Sequence, residues 1–128
     1  ISDDSGLCIR SFNNRPGVHT ARFAKKHGGF FKAMQFILRK LKNKKSRKAK
    51  FICCLSYRTP GGKIISVKGT IYGKISFNIL GKNGFGFDPI FIPDFSKKTF
   101  GQMIKKKKMK IDHRFLAFKK LKNKVKTL

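Results

Sequence analysis

The sequence contains no glutamate and no tryptophan, and only five aspartates stand against 32 lysines and arginines. So small a supply of carboxylates excludes an acidic, cation-buffering protein and leaves few side chains for general-base or hard-metal chemistry. The location of each one therefore matters: Asp3, Asp4, Asp88, Asp94 and Asp112. Cysteine is equally sparse. Cys8, Cys53 and Cys54 form an odd set without C-x-x-C spacing. That excludes a disulfide framework and suits small buried side chains in a reducing compartment. No apolar run reaches the length of a bilayer span and no signal-peptide pattern opens the chain. The expected location is the cytoplasm, with no membrane partner.

What is abundant is positive charge and phenylalanine. The net charge is +27, and 14 phenylalanines contribute to a 40% hydrophobic composition, which excludes a disordered polycation. A chain of 128 residues suffices for one core, so residues 1–128 are expected to form a single domain. The charge favours a phosphate-bearing partner and predicts non-specific attraction to nucleic acid. The same excess of Lys, Phe, Ile and Asn also follows from AT-rich coding, so charge alone assigns no function.

Patterning mixes strands with helices. Residues 7–12, LCIRSF, alternate as a short strand ended by the turn residues NNRPG. From Phe30 to about Lys44, Phe30, Ala33, Met34, Ile37, Leu38 and Leu41 recur at helical spacing behind a Gly28-Gly29 break. A basic connector spans 42–50. FICCLSY at 51–57 and the run 64–77 then read as an antiparallel pair around TPGGK. A Gly-rich loop, GKNGFGFDP, precedes the short strand IFIP. Asp112 is placed to cap a last helix, in which Phe115, Phe118, Leu121, Val125 and Leu128 recur. The fold class is α/β in the broad sense, with a mixed sheet and no internal repeat.

Three stretches carry chemistry. In GFGFDPIF, residues 84–91, Gly84 and Gly86 allow close ligand approach, Phe85 and Phe87 offer flat faces, and rigid Pro89 follows Asp88. Such a loop suits stacking on a base; its plainer reading is a turn whose rings join the core. In DHR, His113 and Arg114 supply donors matched to the oxo group and ring nitrogen of a purine, with Lys108 placed for a phosphate. The plainer reading is a solvated basic face. DDSG offers a carboxylate for a metal or an attacking water, against the common role of Asp-Ser-Gly in turns. His19 and His27 lack zinc spacing and read as ordinary histidines.

Taken in order, DDSGL, PGVHTARFA, AKFICCLSY, GFGFDPIF and Lys108 followed by DHR resemble the inosine triphosphate pyrophosphatases over nearly the whole chain. The resemblance implies an elongated mixed sheet with flanking helices, two lobes around a substrate cleft, and a homodimer. It also implies Mg²⁺-dependent hydrolysis of ITP, dITP or XTP to the monophosphate and pyrophosphate. By the same resemblance Asp4 is the proton acceptor and metal contact, with Asp3 a supporting neighbour. Ser5, Phe85, Gly86, Phe87, Asp88, Lys108, His113 and Arg114 would meet the substrate.

Four positions depart from the family pattern: Phe87 for Tyr, Lys107 for an acidic residue, Asp112 for Ser and Phe115 for Gly. The family's first strand, its Ser/Thr-x-Asn-x-x-Lys phosphate loop and a metal-binding Glu have no counterpart here. The chain is thus expected to be the C-terminal two-thirds of such a fold. The alternative is an impaired, truncated remnant that binds nucleotide or other polyanions without turnover.

Overall fold

The computed structural model describes residues 1–127. Five strands form one sheet: β1 (Ser2–Ile9), β2 (Arg15–Gly17), β3 (Lys48–Arg58), β4 (Ile64–Ile75) and β5 (Phe91–Pro93). Four helices accompany it: α1 (Thr20–Lys26), α2 (Phe30–Leu41), α3 (Lys105–Lys108) and α4 (His113–Lys126). The strand order is β2-β1-β3-β4-β5. The class is the expected mixture of helices and strands. Every described strand pairing is antiparallel, so the mixture lies between helix and sheet and not in strand direction.

Alternation explains which side of the sheet is covered. Successive strand residues point to opposite faces. Leu7 and Ile9 of β1, Ala49 to Leu55 at odd positions of β3, and Ile65, Val67, Ile71 and Ile75 of β4 are all buried. They divide into two clusters. One gathers α1, α2 and the segment 87–103 around Phe51, Phe91 and Phe100; the other sets Ala117 and Leu121 of α4 on Cys53, Leu55, Ile65 and Val67. The even positions are exposed or half-buried along β3 and β4. A Cβ on Gly69 would run into the His113 carbonyl and the Ala117 amide, so glycine there lets the first turn of α4 lie directly on β4.

Several segments differ from the sequence expectation. β1 starts at Ser2, not at residue 7, so DDSG is extended strand and not a turn. Eight registered pairs with β3 supply the backbone partners that a turn would have lacked. β3 likewise begins at Lys48 inside the basic connector, because its ladder with β4 extends to Lys48–Lys74. α1, β2 and α3 carry little apolar periodicity and were not expected. On α4 the expected stripe is mostly solvent-facing: Phe118 is 54% exposed, while the core contacts come from Ala117 and Leu121. Leu128, the last member of that stripe, lies outside the described residues. Cys8 and Cys53 are buried as expected; Cys54 is half-buried.

Candidate active site

The loop 84–88 is shaped by its glycines. Gly84 (φ 73°) and Gly86 (φ 61°) adopt left-handed conformations, and a Cβ on Gly84 would strike the Asp88 carboxylate. The chain therefore curls back, and Asp88 Oδ2 accepts the Phe85 N–H at 3.0 Å. This curl separates the two phenylalanines. Phe87 is buried with its ring edge-on to Phe30 at 5.1 Å, so it belongs to the core. Phe85 stays 59% exposed and is the face available for stacking.

Lys108 sits beneath that face, only 3% exposed. Its Nζ lies 3.1 Å from Asp88 and 3.2 Å from Asp112, and 4.5 Å from the centre of the Phe85 ring. Asp112 divides its oxygens, Oδ1 capping α4 through the Phe115 N–H at 2.8 Å and Oδ2 facing Lys108. Burial pushes the Asp88 carboxyl above its usual range, against the pull of Lys108. Lys108, the residue expected to meet a phosphate, ties the loop 84–88 to the start of α4 through these ion pairs. Removing one member of such a buried set costs on the order of 3–5 kcal/mol, because the others lose their compensation.

His113 follows directly. Its ring stacks on Phe51 at 4.9 Å and 19°, and its buried Nδ1 has no partner among the described residues. Burial lowers its pKa to about 4, so the imidazole is neutral at pH 7. Arg114 donates from Nε to Asp3 Oδ2 at 2.7 Å, with its guanidinium carbon 5.0 Å from the Phe85 ring centre. Asp3 Oδ1 accepts from Ser5 Oγ at 2.8 Å and from Cys53 Sγ at 3.4 Å. Partial burial alone would raise the Asp3 carboxyl; the bonds from Arg114 and Ser5 outweigh it and hold the pKa below its usual value.

One cavity of about 150 Å³ brings together Ser5, Phe85, Gly86, Phe87, Asp88, His113 and Arg114, with Thr20, Phe30 and Phe51 completing its wall. Asp4 does not line it. In register with Cys54, Asp4 is exposed on the opposite sheet face from Asp3, Ser5 and Leu7. Asp3, on the same sheet face as the cavity-lining Ser5 and Leu7, is thus the acid of the pair on the pocket side. Thr20, which no sequence motif marks, also lines the cavity: its hydroxyl donates to the Gly17 carbonyl and accepts the Leu7 N–H, pinning α1 to β1. Chemically, an exposed aromatic face beside an anchored guanidinium and a neutral imidazole suits a planar heterocycle with a carbonyl acceptor.

Few carboxylates are free to hold the implied Mg²⁺. Three of the five carboxylates are engaged by Lys108 or Arg114, and Asp94 follows β5. That leaves Asp4. Among the described residues no group of three or more His, Cys, Asp or Glu side chains could hold a metal. Mg²⁺ is commonly held by one or two carboxylates together with waters and substrate phosphates, so Asp4 is the residue here that would contribute to holding it.

The chain is similar to several known proteins. The dITP/XTP pyrophosphatase of Clostridium perfringens is 41% identical over 128 residues, covering 98% of this chain and 63% of that protein. The dITP/XTP pyrophosphatase of Clostridium tetani is 39% identical over 127 residues, again 63% of its length. The chain therefore spans a little under two thirds of these relatives. Among solved structures, the Staphylococcus aureus Ham1 protein superposes with a TM-score of 0.91 at 36% identity, covering 98% of this chain and 65% of that one. A HAM1 protein from Coxiella burnetii gives 0.90 at 30%, covering 99% and 66%. The sequence pattern of the Ham1 family matches residues 1–124, the span that holds the strand of Asp3, the loop 84–88 and the start of α4, and the chain belongs to that family.

Proposed function

We propose that the chain carries the base-recognition pocket of a nucleoside triphosphate pyrophosphatase. Its substrates are deaminated purine nucleotides, ITP, dITP and XTP, hydrolysed to the monophosphate and pyrophosphate. The observation that carries this reading is the convergence of Phe85, His113 and Arg114 on one cavity, with Arg114 anchored through Nε. Its terminal nitrogens are left as donors for a 6-oxo group. The 6-amino group of adenine would face those donors and leave them unpaired, a mismatch that discriminates strongly. The names of the curated relatives support the same substrate class.

In this reading Asp3 positions Arg114 and Ser5, and Lys108 braces the base loop from below. Asp4, which like Asp94 makes no ion pair among the described residues, takes the proton of the attacking water. A homodimer and a cytoplasmic setting belong to the same proposal; sedimentation of the protein checks the first. The deciding measurement is pyrophosphate release from ITP against ATP, with Asp4→Asn as control. Release from ITP well above ATP, lost in Asp4→Asn, is expected. No release above that control would sink the catalytic reading. One observation favours a second reading, binding without turnover: Asp4 stands on the sheet face away from the cavity. ITP binding with no release would select it.

A further inference from the structure

A second cavity lies on the other side of α1. Thr20 and Ala21 face the first pocket, whereas Arg22, Phe23, Lys26 and His27 face this one, about 750 Å³ in volume. Its floor is aromatic: the His27 ring lies 4.3 Å from both Phe23 and Phe36, and its Nδ1–H donates to the Phe23 carbonyl at 2.9 Å, which fixes the ring. Its rim carries Arg15, Arg22 and Lys26. No aspartate lines it, and the ion pairs among the described residues involve only Lys108 and Arg114. Three cations thus line one opening with no internal counter-charge, over an apolar floor of mutually tilted rings.

We propose that this cavity binds a mononucleotide, its base packed against the aromatic cluster of Phe23, His27 and Phe36 and its phosphate held among Arg15, Arg22 and Lys26. A phosphate with close to two negative charges suits a fork of two arginines and a lysine better than a single carboxylate does. The volume falls within the roughly 300–1,000 Å³ common for small-ligand sites, which favours a mononucleotide over a polymer. Phe23 also touches Phe87 of the base loop, ring centres 6.3 Å apart.

The test is calorimetric titration of this chain with AMP, whose amino group is mismatched to the first pocket. AMP binding is expected to weaken at least tenfold in an Arg22→Ala/Lys26→Ala variant and to persist in Arg114→Ala. Adenosine, lacking the phosphate, should bind at least tenfold less tightly than AMP. Because the two substituted side chains are exposed, folding is preserved; AMP-induced shifts of the His27 ring protons in the unmodified chain give a second readout. Absence of AMP binding overturns the proposal, as does its loss in Arg114→Ala alone. An equal loss in Lys122→Ala/Lys124→Ala, which marks bulk charge attraction, overturns it as well. Pyrophosphate release plays no part, so this site and the proposed catalysis fail or stand separately.

Discussion

Asp3 and Arg114 are 111 residues apart in the chain and meet at 2.7 Å. Both side chains are more than a third exposed, and ion pairs of that kind contribute about 0–1 kcal/mol to stability. The pair matters for orientation: with Nε tied, the guanidinium plane is set before a ligand arrives. Asp3→Asn is accordingly expected to leave the melting temperature within a few degrees while weakening ITP binding about tenfold. Combining it with Arg114→Ala should add little, because the two act through one interaction. Unchanged ITP affinity in Asp3→Asn, measured by calorimetry, would remove the positioning role. Asp4→Asn, on the other sheet face, is expected to leave binding alone.

At the level of elements, the site depends on how closely α4 approaches β4. The approach is permitted at Gly69, where any side chain meets helix backbone. Gly69→Ala should destabilise the protein by roughly 2–3 kcal/mol through overpacking and displace His113 and Arg114 together, with loss of nucleotide binding. Gly61→Ala is the control, since its added methyl lies 3.8 Å from the nearest atom and its backbone needs no left-handed turn. Urea unfolding of both variants compares them directly; equal stability would mean that α4 shifts freely. Asp112 belongs at this scale too. Standing where the family pattern has serine, it still caps α4 and adds a second carboxylate to Lys108.

The whole molecule titrates in a way that follows from burial. His113 is protonated at an ordinary pKa of 6.5 when unfolded and only near 4 when folded. Between those values the unfolded chain binds a proton that the folded chain refuses, so stability falls as pH drops from 6.5 towards 4. The full loss is on the order of 3 kcal/mol. Asp3, also lowered, adds in the same sense only below its ordinary 3.8, while Asp88, raised, acts in the opposite sense above that value. Urea midpoints at pH 7 and pH 5 should therefore differ, and His113→Phe should flatten the difference. An unchanged slope in His113→Phe would assign the titration elsewhere.

By itself the sequence determined what is local: period-two runs that become β3 and β4, the Gly-rich loop at 84–88, the Asp112 cap, and a Phe-rich core within a cationic shell. These depend on neighbours a few residues away, and dihedral preference and amphipathicity encode them directly. Tertiary structure alone decided which aspartate faces the pocket, that Phe85 is open while Phe87 is core, and that Lys108 is buried between two carboxylates. Each of those outcomes depends on a partner brought in across the sheet or from a distant loop. Alternation ranks the faces of a strand, but only packing chooses which face the helices cover.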